Sequence, residues 1–465
     1  MNKLKRTLAV LLAVATLVMA LSLCSCGKKI SEIDVITSEH YTVSAGMLTY
    51  SLYDSYYYYV NYFGSELMKL YFGIDTAVSL KEQYSDETKK TTWFDVFKQD
   101  AVDSFCNALS LCEAAHKAGV TLNDVDKKYL ESELGEIKSM AEENKMTTAE
   151  YIEFIYTDGV TEEDVKKSLE IYRLANKMRY KDYSDATVSD TEIENVFNKN
   201  KEQYLCRDVI YFELVLSNES ENNTGIKEYA EKLKNAKTEE EFKNLAAEFL
   251  ASDICVDKKK TVTSESFQNN VAEEEKTDVD EWMFAEGTVK GSTYLYEGNA
   301  SCVVYMATSE AALDVSVTKD IYTILFTSDV YGSDEEMKAK AEAVYKEWEE
   351  SGKDMAKFRE LAAKYTTDTA SVYSGGLYEN VAEGDLIDEL NDWLFDATLE
   401  NGASTIIKTS FGYHIMVYSE EGEPAWKVPI IEEIKDTKTT DAVQYYAETY
   451  KVTIIEGNIK YVKGE

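Results

Sequence analysis

The sequence predicts an α+β chain of several domains: an all-helical N-terminal domain, then two tandem copies of one α+β module. Three observations predict this. Residues 30–204 carry helix-start signatures and helical apolar spacing. From about residue 205 the pattern changes to strand, helix, strand. Within that second part, short segments recur in the same order at a nearly constant spacing. The 465 residues allow two to four domains at roughly 100–200 residues each. Both prolines, Pro424 and Pro429, lie near the C-terminus, so the rest of the chain is open to long regular elements.

The first element is a leader. Lys3, Lys5 and Arg6 precede an almost unbroken apolar run over 7–23, which ends in Leu23-Cys24-Ser25-Cys26. A basic start, an apolar core and a small residue before the cut describe a secretory signal. The closing Leu-x-Ser-Cys resembles the bacterial lipobox. That resemblance implies a signal peptide over 1–25 and makes Cys26 the lipidated first residue of the mature chain. Cys24 is the weaker candidate, because bulky Leu23 would then sit at the cut. An uncleaved membrane helix is the alternative, the run being about long enough to span a bilayer.

Residues 26–204 form the helical domain, with about six helices expected. Thr121 with Asp124, Thr147 with Glu150, Thr161 with Asp164, and Ser189 with Glu192 each pair a capping hydroxyl with an acid three residues on. Phe105, Leu109 and Cys112 share one helical face. Eight aromatics crowd the stretch 50–63: Tyr50, Tyr53, Tyr56 to Tyr59, Tyr62 and Phe63. Tyrosine offers apolar area with a polar tip. The stretch therefore reads either as helix packing inside the domain or as an adhesive face for unfolded chains.

The repeat comes next. Ile210-Tyr211-Phe212-Glu213-Leu214 answers Ile321-Tyr322-Thr323-Ile324-Leu325, Glu281-Trp282-Met283-Phe284 answers Asp392-Trp393-Leu394-Phe395, and Val303-Val304-Tyr305 answers His414-Ile415-Met416. These three matches share an offset of 111 residues (321 against 210, 392 against 281, 414 against 303). The copies are assigned to 205–316 and 317–423. A charged stretch over 257–280 inside the first copy reads as a surface loop. The tail, 424–465, is expected to carry a short helix over 442–450 and a strand over 451–455 that pack back on the body.

Composition excludes several functions. A formal charge of −37 argues against nucleic acid, which needs a basic face, and against electrostatic binding to anionic lipid. The five cysteines after Cys26 include no C-x-x-C pair and read as buried thiols. The three histidines, His40, His116 and His414, are scattered without metal-ligand spacing. Neither a metal nor a cofactor is expected.

The second copy carries the motifs with chemical content. Ile324-Leu325 sits on its first strand, and a helix covers 358–365. Asp368 and Gly375-Gly376-Leu377 follow, then the segment 384–395 and finally Phe411-Gly412-Tyr413-His414-Ile415. This set resembles the parvulin family of peptidyl-prolyl isomerases. The whole layout is similar to PrsA- and SurA-like extracytoplasmic foldases, in which a helical chaperone domain precedes parvulin modules. The resemblance implies a catalyst of X-Pro isomerisation acting on newly exported, unfolded polypeptides at the outer face of the bacterial membrane. It implies a proline cup of Leu386, Leu390 and Phe395, with Tyr413 beside it. His414 would lie on the floor, Thr323 would stand where the family usually has a second histidine, and Asp368 would mark the rim. A Thr323 hydroxyl bonded to His414 would replace the missing imidazole. Leu390 replaces the usual aromatic, and the Gly-Gly turn is shortened. In the first copy Phe212 and Val303 would occupy the histidine positions, so no catalysis is expected there. The alternative for the whole chain is a holdase chaperone or scaffold without enzymatic activity. Oligomeric state is left open.

Overall fold

The computed structural model of the chain describes residues 29–217, 220–271 and 275–464. Cys26 and the 1–25 segment lie outside the described residues. Among the described residues, no helix is long and apolar enough to cross a membrane. The chain divides into two compact units, one of residues up to 179 together with 443–465, the other of residues 180–442.

The first unit is mostly helical. Strands β1 (Asp34–Thr37) and β2 (Thr42–Ser44) lead into α1 (Ala45–Phe72), α2 (Trp93–Ala118), α3 (Asp124–Glu143), α4 (Thr148–Tyr156) and α5 (Glu162–Asp185). It is not all-helical, contrary to the sequence expectation. β1 pairs with β2 on one side and with Thr453–Ile454 of the C-terminal tail on the other. Each strand is too short for a period-two pattern to register, and the third comes from the far end of the chain. Val35, Ile36 and Val43 on these strands are fully buried.

The helix caps are local and follow the expected chemistry at three sites. The Thr147 and Thr161 hydroxyls accept from the Glu150 and Asp164 N–H groups, and the acids accept from the backbone N–H of their threonines. The same box at Ser189 and Glu192 starts α6 (Asp190–Phe197). At the fourth site the cap is Asn123, not Thr121: its side chain accepts from the Val125 and Asp126 N–H groups, and α3 starts at Asp124. The Asp126 carboxylate is buried and accepts from Arg173 Nε (2.8 Å) and Lys177 Nζ (2.5 Å).

The tyrosine-rich helix divides its aromatics. Tyr50, Tyr53 and Tyr56 are buried, whereas Tyr58 and Tyr62 are 65% and 72% exposed. At Gly64 the backbone leaves the helical region (φ 76°, ψ 159°), a conformation that glycine adopts without steric cost. The following turn folds so that Phe72 meets Phe63 (5.3 Å) and Tyr59 (6.4 Å), while Leu70 and Tyr71 stay in solvent. One side of the stretch thus packs inside the domain, while Tyr58 and Tyr62 stay exposed to solvent.

In the second unit α6 packs Ile193 against Ile430, Ile431 and Ile434 of α14 (Val428–Thr449). The sequence pattern alone groups α6 with the N-terminal helices, because local spacing gives no sign of a partner so distant in the chain. α14 is also longer than expected. Pro429 does not stop it, because a proline in the first turn removes an N–H that has no intrahelical acceptor.

The two copies have one topology. The first runs β3 (Leu205–Val215), α7 (Ser220–Lys234), α8 (Glu239–Ala251), β4 (Thr263–Gln268), α9 (Asp278–Phe284), β5 (Thr293–Glu297), β6 (Ser301–Ala307) and a short β7 (Ala312–Leu313). The second runs β8 (Val317–Phe326), α10 (Ser328–Tyr331), α11 (Asp334–Glu350), α12 (Met355–Tyr365), β9 (Leu377–Val381), α13 (Asp388–Leu394), β10 (Ser404–Lys408) and β11 (Tyr413–Pro424). The sheets are ordered β5-β6-β3-β4, with β7 also on β3, and β10-β11-β8-β9. β4 lies inside the stretch expected to be a loop. It is an exposed edge strand, and charged, polar residues are what such an edge carries.

One face of each sheet is covered by two helices. In the first copy Ile210, Phe212 and Leu214 face those helices with Val304. In the second, Tyr322, Ile324 and Phe326 do so with Ile415, around the fully buried Trp348 and Phe358. Phe212 therefore corresponds to Ile324, and Tyr211 corresponds to Thr323. The offset of 111 holds on β6 and β11 but slips by one on β3 and β8. A slip of one residue exchanges the faces of a strand, so Phe212 is a core residue and does not stand at a histidine position.

Candidate active site

The opposite face of the second sheet gathers most of the expected site. Residues two apart on a strand share a face, which puts Ile321 and Thr323 of β8 with His414, Met416 and Tyr418 of β11. Thr323 stands opposite Met416, and His414 opposite Leu325. Leu390 and Leu394 of α13 and Val381 of β9 pack on this face with Ile321, Met416 and Tyr418, and Leu386 and Phe395 join them half-buried. Phe395 lies at the Tyr418 end, where Lys319 Nζ sits over both rings (5.1 and 4.9 Å). Tyr418 is four residues from His414, about 13 Å at the usual strand rise.

Tyr413 does not join this face. Its neighbour His414 does, so alternation turns Tyr413 to the helix-covered side, where its hydroxyl donates to Asp334 Oδ2 (3.1 Å). Thr323 is on the correct face but does not bond His414. Its hydroxyl is buried and has no hydrogen-bond partner among the described residues.

His414 instead meets Thr409, in the turn between β10 and β11. His414 Nε2 lies 3.1 Å from Thr409 Oγ1, and that oxygen accepts from the Phe411 N–H (3.1 Å). The hydroxyl proton has two acceptors, Nε2 and the Gly412 carbonyl (3.5 Å), and donation to Nε2 goes with a neutral ring carrying its proton on Nδ1. Burial points the same way. It lowers the His414 pKa from 6.5 to about 4, against the opposing pull of the Asp368 and Glu389 carboxylates. Thr409 was not singled out in the sequence. Its only signal is its place in a tight turn five residues before the histidine.

Asp368 is held rather than loose. It accepts from the Tyr378 hydroxyl (2.8 Å), from the Ser371 hydroxyl and from the Ala370 N–H (3.1 Å). The segment bearing it is tied to β8: the Thr366 hydroxyl accepts from Leu325 N, and Thr367 N donates to Leu325 O. The glycine pair closes the same segment. Thr323 N donates to Gly376 O, and a Cβ on Gly376 would lie 2.4 Å from Thr323 O, at φ +87°. Gly-Gly is thus the device that brings Asp368 and Tyr378 up to the strand carrying Thr323. Elsewhere, a shallow groove of about 800 Å³ on α7 and α8 is lined mainly by charged side chains such as Lys227, Glu231 and Glu241, which suits no proline ring.

Residues 324–420 match the family model for Rotamase, the PPIC-type PPIASE domain. This module is a parvulin-type rotamase domain. The chain is 33% identical over 143 residues to a foldase protein PrsA of Staphylococcus epidermidis, covering 29% of this chain and 43% of that protein. It is 34% identical over 88 residues to one of Exiguobacterium sibiricum, covering 19% and 28%. The chain thus spans less than half the length of these relatives. Among solved structures, PrsA of Bacillus subtilis is 16% identical with a TM-score of 0.24, over 80% of this chain and 91% of that one. Peptidylprolyl isomerase PrsA of Bacillus anthracis is 17% identical with a TM-score of 0.19, over 59% and 93%.

Proposed function

We propose that the chain is an extracytoplasmic foldase, tethered through a lipid on Cys26 to the outer face of a bacterial membrane, that isomerises X-Pro bonds in unfolded exported polypeptides. The observation that carries this reading is the buried, neutral His414 on an apolar sheet face inside a rotamase domain. An X-Pro bond prefers trans only slightly, yet exchanges in tens to hundreds of seconds. Its barrier is roughly 18–20 kcal/mol, because the amide loses resonance as it twists. A dry apolar face disfavours the planar, polar amide relative to the twisted one and needs no nucleophile or cofactor.

In this reading Leu386 and Leu390 receive the proline ring and Phe395 closes the far end, with buried Met416 packed behind them. His414 and Thr409 form the polar floor. Thr323, whose hydroxyl has no hydrogen-bond partner among the described residues, and Asp368 face the rotating carbonyl. The helical region 26–204 holds the client, and 205–316 extends the surface. A tether near the point of export raises the effective concentration of client at the site.

A holdase without catalysis is the second reading, favoured by the exposed aromatics Tyr58, Tyr62 and Tyr71 and by a site lacking a second histidine. Proline-isomerisation kinetics on a tetrapeptide, with the chain from residue 27 onward, separate the two. Foldase activity predicts acceleration that falls at least tenfold in His414→Ala. A rate equal to background, with aggregation of a denatured client still suppressed, leaves only the holdase.

A further inference from the structure

The face that carries His414 in the second module has a counterpart in the first, and its contents are aromatic. Tyr211 of β3 stands opposite Tyr305 of β6, and Tyr305 opposite Tyr294 of β5. The Tyr211 and Tyr305 rings lie 5.5 Å apart, and Trp282 of α9 stacks on Tyr294 at 5.4 Å and 29°. All four side chains are half-buried, so their rings remain reachable. Adjacent strands are about 4.8 Å apart, so the row from Tyr211 to Trp282 is about 15 Å long, which matches four or five extended residues.

Carboxylates surround the row. Glu265 and Asp280 act electrostatically on Tyr305, and Asp278 and Glu281 on Tyr294. Of the cations at the ends of the face, Lys260 pairs with Glu213, while Arg207 is buried, donates one N–H to Ser309 O (3.4 Å) and leaves its Nε without a hydrogen-bond partner among the described residues. Aromatic faces attract cations through the ring quadrupole, and the acidic rim adds a field of the same preference.

We propose that this face binds extended segments of unfolded polypeptide that carry lysine or arginine, without isomerising them. The proposal rests on the foldase reading and gives the first module a client class of its own. The strand pair keeps the shape of the second module's, while Tyr211 and Val303 stand where Thr323 and His414 would act on a prolyl bond.

The test uses the chain from residue 27 onward and three fluorescent ten-residue peptides, identical except for four arginines, four glutamines or four glutamates. Fluorescence anisotropy should show the arginine peptide binding at least tenfold tighter than the glutamine peptide, and the glutamate peptide weakest. The double variant Tyr211→Thr/Tyr305→Thr should weaken the arginine peptide at least fivefold while leaving tetrapeptide isomerisation unchanged. Glu265→Gln/Glu281→Gln, which keeps every ring and disturbs folding least, should reduce the preference for arginine over glutamine by threefold or more. Wild-type affinity for the arginine peptide in both variants would overturn the proposal and leave the foldase reading intact. Failure of the wild-type chain to bind any peptide or to suppress client aggregation would remove the client-holding part of that reading, and this proposal with it.

Discussion

Acidification should weaken the second module through a single histidine. His414 is 7% exposed, and burial lowers its pKa from 6.5 to about 4. The unfolded chain takes up this proton near pH 6.5, whereas the folded module resists it until about pH 4. Between those values the unfolded state binds more protons, so stability falls as the pH falls. The full difference is about 3 kcal/mol at 1.36 kcal/mol per pKa unit, with most of it present by pH 4.5. Carboxylates titrate in the same window, so the quantity to compare is the loss between pH 7 and pH 4.5 in the wild type and in His414→Gln. Hydrogen exchange of the β8 and β11 amides, corrected for intrinsic rates, reports that loss for this module, and the wild type should lose about 2–3 kcal/mol more than the variant. The chain has three histidines, so imidazole NMR follows His414 directly. Titration of His414 at or above 6.5, or equal losses in the two proteins, would refute the reasoning. The same neutrality predicts an isomerisation rate that stays flat from pH 5 to pH 8.

His40 should behave in the opposite sense: its Nδ1 lies 2.7 Å from the buried Glu113 carboxylate, which raises its pKa above 6.5, so the stabilisation is present below pH 6.5 and is lost as the pH rises through the folded value. In the same NMR titration, Glu113→Gln should lower the His40 pKa, because it removes the hydrogen-bonded carboxylate that raises it. Thr323→Val removes a buried hydroxyl that has no hydrogen-bond partner among the described residues, so it should leave stability unchanged or raise it by about 1 kcal/mol in denaturant melts while lowering isomerisation. Gly376→Ala should destabilise the second module by at least about 2 kcal/mol, because the residue sits at φ +87° and the new methyl group meets Thr323 O. In the first unit, Asp126→Ala should cost about 3 kcal/mol of thermal or denaturant stability, since it removes the buried carboxylate that accepts from both Arg173 and Lys177.

Features that depend on neighbours in sequence were legible. The caps at Thr147, Thr161 and Ser189 lie within four residues, and the strand-helix order of the repeat follows local pattern. Features set by distant partners were not. The three-stranded sheet of the first unit unites residues 36 and 454. His40 and His116, apparently scattered, stack at 3.9 Å because the β1–β2 turn rests on the end of α2. Thr409 reaches His414 only because the chain reverses between β10 and β11. Tyr413 is the plainest error. Its adjacency to His414 made it look like part of the site, and on a strand adjacency means the opposite face.

Strand parity also explains how two copies of one fold came to differ in chemistry. On the helix-covered faces the modules retain large apolar side chains, Phe212 and Val304 in one and Ile324 and Ile415 in the other, because any change there leaves a cavity or an overlap under two helices. The other faces carry no such constraint over their full width. There Tyr211, Val303 and Tyr305 stand where Thr323, His414 and Met416 stand, and neither set disturbs the core behind it. Fold and chemistry are therefore written on alternate residues of the same strands. A comparison that slips by one residue, as the 111-residue offset does on β3, reads the core of one module as the active face of the other.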